Sequence, residues 1–142
     1  MNRGFSDTGD PGGLRIVGGS EPRLVSVEQI WDQAPHSAFT DLIRYRGRWW
    51  CTFRESEAHM HFIGTIRLLV SDDGEEWSSA AEIVEEGIDL RDPKLSIMPD
   101  ERLMLLVGGS VYEGRNYQTR SPRVFVSDNG FEWSAHARPL AE

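Results

Sequence analysis

The sequence predicts an all-β protein made of two four-stranded antiparallel units, with a further strand segment ahead of them. Three observations carry that reading. Ser71-Asp72-Asp73-Gly74-Glu75-Glu76-Trp77 returns without a gap, 56 residues later, as Ser127-Asp128-Asn129-Gly130-Phe131-Glu132-Trp133. Each copy follows a run of strand-forming residues, Thr65-Ile66-Arg67-Leu68-Leu69-Val70 and Arg123-Val124-Phe125-Val126. Further upstream, residues 41–50 and 94–105 share a strand–turn–strand plan, with Pro99-Asp100 initiating the second turn. A four-stranded unit repeated at a period of this size is the pattern of a propeller blade.

The elements follow in order. Residues 1–13, rich in Gly, Asp and Ser, are expected to form a disordered tail. Residues 14–35 are expected to hold the N-terminal strand, on Leu14–Val17 and Pro22–Trp31. The first blade spans 36–86, with strands near 38–45, 48–54, 64–71 and 79–84. The second spans 87–142, with strands near 93–98, 102–109, 122–127 and 134–140. In each repeated turn the Asp73 or Asn129 side chain can bond backbone N–H groups two residues on. Gly74 and Gly130 supply the positive φ that closes the turn, and Trp77 and Trp133 fold back as apolar plugs.

Composition narrows the function. The net charge is −8 without any basic run, which argues against binding a phosphate backbone. The one cysteine, Cys51, excludes an intrachain disulfide and a cysteine-rich zinc site; in its Trp-rich strand it reads as a small buried hydrophobe. No apolar run approaches the roughly 20 residues that span a bilayer, so no membrane association is expected. The N-terminus has no apolar signal-peptide core, and a cytoplasmic location is the default expectation.

The repeated turns resemble the Asp box, S-x-D-x-G-x-T-W, of the sialidase superfamily, in a form one residue shorter. Its residues here are Ser71, Asp73, Gly74 and Trp77, then Ser127, Asn129, Gly130 and Trp133. Val25 through Pro139 is similar to the opening of exo-α-sialidase-like proteins, on Ile30–His36, Ala38–Ile43, Cys51–Glu55 and Leu90–Leu95. The resemblance implies a β-propeller, usually six-bladed, and a glycoside hydrolase directed to glycans. Such an enzyme uses an arginine triad, an Asp acid/base and a Tyr–Glu nucleophile pair, with an oxocarbenium-like transition state. The chain departs from that set. Phe39-Thr40-Asp41-Leu42 stands where the first R-I-P arginine belongs, and Arg91-Asp92-Pro93 has Asp in the middle position, as in five-bladed furanosidases. The later arginines and the nucleophile pair belong to downstream blades, so the chain is expected to be inactive alone. Two blades leave open faces, which points to a fragment of a longer propeller or to homo-oligomers that close a ring. A glycan-binding or protein-interaction module without catalysis is the alternative.

Propeller geometry places the B–C loops and the D-to-A connections on one rim. Arg91 can clamp a carboxylate, and Asp92 can serve as acid or base once its pKa is raised; alternatively they form a mutual ion pair. Arg54 and Glu55 end strand B at the rim, as catalytic groups or as a structural pair. Asp41 either points into the pore or bonds the backbone of the adjacent blade. His36, with His59 and His61 of the first B–C loop, is a candidate for substrate contact. H-x-H spacing also suits a metal, but a solvated loop reads better, and no metal or cofactor is expected. The second B–C loop offers Arg115, Tyr117, Gln118 and Arg120 as donors and a stacking face for a sugar.

Overall fold

The computed structural model describes residues 23–134. Its strands form two antiparallel sheets. The first, sheet 1, contains β1 (His36–Tyr45), β2 (Arg48–Ser56), β3 (Thr65–Ser71) and β4 (Ser78–Ile83), in that spatial order. The second, sheet 2, contains β5 (Ile88–Ile97), β6 (Leu103–Glu113) and β7 (Asn116–Ser127), also in sequence order. Among the described residues there is no helix long and apolar enough to cross a membrane.

All seven strands coincide with expected ones, with three adjustments. The fourth strand expected near 134–140 lies outside the described residues but for Ser134. Ser134 already lies along β7, its N–H donating to the Val126 carbonyl at 2.9 Å. Residues 1–22, and with them the tail and the Leu14–Val17 strand, are outside the described residues too. The rest of the expected N-terminal strand is corrected: residues 23–35 contain no strand. They have no ladder partner, and Trp31 docks instead by its ring, against Phe53 at 6.5 Å. The third adjustment is larger. Residues 110–120, expected as a B–C loop, continue β6 and β7 as a long hairpin closed at Gly114, φ +61°. That positive φ is one that glycine adopts freely.

The two repeated turns have one hydrogen-bond plan. The Gly74 N–H donates to Ser71 Oγ at 2.8 Å, and the Glu75 and Glu76 N–H groups donate to Asp73 Oδ1 at 2.8 and 3.0 Å. Trp77 Nε1 closes the loop on the Gly74 carbonyl at 3.0 Å. In the second turn Gly130, Phe131, Glu132 and Trp133 repeat these bonds on Ser127, Asn129 and Gly130 at 2.8–2.9 Å. Accepting these N–H bonds, from Glu75 and Glu76 first, holds the Asp73 carboxyl below its ordinary value.

The sheets stack. Alternation along each strand sends Trp50, Ile66, Leu68 and Val70 to one face of sheet 1. There they meet Leu90, Leu95, Leu103, Leu105, Val107 and Phe125 of sheet 2 in one core. Each such side chain contributes about 1.5–3 kcal/mol on burial. Trp49 turns the other way and is only half-buried, under the Arg44 guanidinium. Cys51, Phe53 and Leu69 form a second cluster on that far face, with Trp31 and Trp77. Burial pushes the Cys51 thiol up to about 11, as suits a packing residue. Polar contacts tie the sheets as well. The Tyr45 hydroxyl lies 3.0 and 2.9 Å from the carbonyls of Glu101 and Asp128, and Trp50 packs edge-on against Phe131.

Candidate functional site

Five side chains were expected to carry catalysis; the fold brings Arg54 and Arg91 together and sends Glu55, Asp92 and Asp41 to other surroundings. Arg54 is fully buried, and its partner is not Glu55 but Asp89 of the next sheet, reached by Nε at 3.1 Å and Nη2 at 2.8 Å. Period-two alternation forces this, because neighbours on a strand face opposite ways. Glu55 points to the far face, where it accepts from Arg67 at 2.9 Å and from Trp31 Nε1.

Arg91 is likewise committed. Its Nε donates to the second oxygen of Asp89, and its Nη2 donates to the carbonyls of His59 and His61 at 3.3 and 3.1 Å. Arg54 Nη2 also reaches the His61 carbonyl, at 3.1 Å. One buried aspartate thus holds two arginines, and both arginines hold the 57–64 loop. Asp92 does not join them. A register shift between Arg91 and Lys94 turns it outward at φ +53°, exposed, with its carboxylate 4.0 Å from Arg120 Nη1. The expected joint action of Arg91 and Asp92 is therefore corrected: the bulge sends them to different surroundings. Asp41 bonds the adjacent sheet, its Oδ2 accepting from the Leu95 N–H at 2.8 Å.

The expected substrate-binding residues divide into two groups. His36 and His59 meet edge to face at 5.6 Å, and His59 also packs on Phe39 at 5.5 Å. His36 Nε2 is buried without a hydrogen-bond partner among the described residues. His61 stacks on Phe62 at 5.2 Å, and the chain of rings runs on through Tyr112 to Tyr117, at 5.9 Å per step. Tyr117 is 56% exposed. Arg115 and Gln118 are exposed on the same hairpin, and Arg120 Nε donates to Ser110 Oγ at 2.8 Å. No group of three or more potential metal ligands occurs among the described residues.

A cavity of about 470 Å³ lies elsewhere, beside Pro35, Glu55, Glu57, His61, Arg67 and Glu82. Sequence reasoning missed Phe62 and Tyr112 as members of the ring chain, and Asp89 as the common partner of Arg54 and Arg91. Gly114, within Glu113-Gly114-Arg115-Asn116, was the sequence's cue to the hairpin turn, although the residues that follow it are polar. Nothing in the sequence marks Phe39, whose φ of +62° belongs to a bulge like that of Asp92.

Comparison with protein-family models gives no match, and comparison with curated proteins gives none either. Among solved structures, the chain is similar to a protein of unknown function from Dyadobacter fermentans DSM 18053, with a TM-score of 0.62 and 18% identity. The alignment covers 74% of this chain and 36% of that one. At that identity the likeness shows a shared fold alone, an all-β arrangement of antiparallel sheets.

Proposed function

We propose that the chain is part of a sialidase-like Asp-box β-propeller, directed to glycans and without turnover of its own. The observation that carries the reading is the pair of turns. Two Ser–Asp/Asn–Gly–Trp loops with the same hydrogen bonds close two successive, stacked antiparallel sheets.

Two features support the lack of turnover. Arg91, the guanidinium best matched to a carboxylate clamp, is bound to Asp89 and to the 57–64 loop. Among the described residues no tyrosine hydroxyl bonds a glutamate carboxylate as a nucleophile pair would; the Tyr45 hydroxyl lies against main-chain carbonyls. Glycan contact is supported by the ring chain ending in the exposed Tyr117, with Arg115 and Gln118 beside it. Aromatic faces stack on the C–H faces of sugars, and the flanking polar groups bond hydroxyls.

The test has two arms. Purified protein is incubated with a fluorogenic sialoside, and its binding to immobilised glycans is titrated. Saturable binding without turnover is expected, with Tyr117→Ala weakening it about five- to tenfold, the worth of about 1 kcal/mol of stacking. Turnover that disappears in both Arg91→Ala and Asp92→Asn would show that the chain is an active enzyme. Absence of saturable binding to any glycan would remove the glycan reading.

A further inference from the structure

We infer that Asn129 is a latent modification site: the folded turn seals it, opening of the turn lets it deamidate through a succinimide, and the fold takes back the aspartate that results.

Asn129-Gly130 is the one Asn-Gly pair in the sequence. The chemistry needs that pair. The Gly130 backbone nitrogen attacks the side-chain carbonyl carbon of Asn129. The proton of the Gly130 N–H leaves with the side-chain nitrogen as ammonia, and a five-membered succinimide closes. Glycine presents the attacking nitrogen without a Cβ to hinder it. Water then opens the ring. Addition at the side-chain carbonyl breaks the new bond and leaves an aspartate in an ordinary backbone. Addition at the main-chain carbonyl breaks the old peptide bond instead and leaves an isoaspartate, whose backbone is one methylene longer. Ammonia leaves, water enters, and nothing is oxidised or reduced.

The folded turn withholds the groups that this reaction uses. The Gly130 N–H donates to Ser127 Oγ at 2.8 Å in a buried bond, and its proton is the one that must go. Asn129 Oδ1 accepts from the Phe131 and Glu132 N–H groups at 2.8 and 2.9 Å, which fixes the side chain under attack. The Gly130 carbonyl accepts from Trp133 Nε1 at 2.9 Å, so the glycine is held on both sides. The Trp50 ring fills the space where Gly130 would carry a Cβ, so the glycine cannot shift that way. Ring closure therefore waits on opening of the turn, and local opening costs free energy up to that of global unfolding.

The first turn shows how the fold treats the product. Asp73 stands at the matching place, and its Oδ1 accepts from Glu75 and Glu76 as Asn129 Oδ1 accepts from Phe131 and Glu132. An aspartate at position 129 thus finds the same donors, and adds one negative charge to a chain of net charge −8. An isoaspartate does not fit. Its added methylene drives Gly130 against the buried Trp50 ring, which has no slack to give. Each opening of the turn therefore sorts chains irreversibly into those that close again and those that do not.

The test incubates the purified chain in mildly alkaline buffer across a graded urea series. The peptide spanning residues 127–134 is followed by mass spectrometry for replacement of NH2 by OH, with fragmentation to separate aspartate from isoaspartate. Conversion in native buffer is expected to be about tenfold or more slower than in the unfolded chain, and to rise with the unfolded fraction. Ser127→Ala removes the acceptor of the Gly130 N–H and is expected to speed conversion in native buffer about fivefold, the worth of one hydrogen bond. Asn129→Asp is expected to melt with the parent. Chains returned from urea to native buffer are expected to carry aspartate, but little isoaspartate, in their folded fraction. A rate that stays flat across the urea transition would overturn the sealing, whether or not Ser127→Ala folds. Failure of Asn129→Asp to fold, or isoaspartate as abundant in the refolded fraction as before refolding, would overturn the sorting of products.

Discussion

Sheet 1 and sheet 2 are two copies of one plan that solve the same packing problem with different residues. In both, a bulge in the first strand carries a left-handed residue, Phe39 or Asp92. In both, an arginine of the third strand binds a glutamate, Arg67 with Glu55 and Arg123 with Glu85. In both, the matching serine of the second strand holds an arginine, Ser56 with Arg54 and Ser110 with Arg120. The difference lies in where that arginine comes from. Arg54 stands on its own second strand and runs to Asp89 of the next sheet, which ties the sheets together and anchors a loop. Sheet 2 has Gly108 there, and its arginine arrives from the hairpin, leaving a cavity. The same frame therefore carries a buried charge in one copy and a bare glycine, Gly108, in the other.

The largest effect should come from the closure itself. Asp89→Ala leaves two arginines without their buried carboxylate and is expected to lose about 3–5 kcal/mol in urea unfolding. His36→Ala, at the matching place in β1, is expected to change stability by less than about 1 kcal/mol. Similar losses in both variants would mean that the two copies are closed alike.

The twin turns offer a second contrast. Both glycines have positive φ, at +88° for Gly74 and +84° for Gly130. A Cβ at Gly74 would meet Trp49 at an ordinary 3.5 Å, whereas one at Gly130 would overlap the buried ring of Trp50. Gly74→Ala is expected to cost about 1 kcal/mol, the backbone part alone. Gly130→Ala adds overpacking and is expected to cost about 2–4 kcal/mol. Thermal melts of the two variants would separate these.

The turns should also differ in acid. Asp73 has a folded pKa held below its ordinary 3.8 by the N–H groups of Glu75 and Glu76. A depressed carboxylate contributes stability that is present above its unfolded pKa and is lost as pH falls through the folded one. The Glu75 and Glu76 amides should therefore lose hydrogen-exchange protection below pH 3.8. Those of Phe131 and Glu132, bonded to the neutral Asn129, should not, and Asp73→Asn should abolish the contrast. The smallest effect concerns Cys51. With its thiol pushed up to about 11, it should react with a thiol reagent at pH 8 only on unfolding, and Cys51→Val, close to it in volume, should change stability by less than about 1.5 kcal/mol.

The strands were legible because period-two patterning and turn chemistry are local. Ser71-Asp72-Asp73-Gly74 and its copy announced their hydrogen bonds in the sequence. Asp41 was legible only as a choice, between the pore and the adjacent backbone, and the Leu95 amide decided it. Arg54 and Arg91 were recognised as charges near a rim, but their common partner Asp89 depends on how two sheets stack. Asp92 parted from Arg91 because a bulge inserts residues without any signature in composition. The hairpin at 110–120 was hidden by its polar residues, since both its strands project beyond the core and need no apolar alternation.

The shared core between the sheets has a consequence for biosynthesis. Sheet 1 is complete in sequence at Ile83, before any of β5 has been made. As it leaves the ribosome it has all its ladder partners, but the face of Trp50, Ile66 and Leu68 has nothing to cover it. Translation at roughly 5–20 residues per second leaves that face bare for about one to four seconds until Leu103 and Leu105 follow. Chaperone demand should thus peak midway through synthesis of the chain, and slow codons between β4 and β6 should raise it.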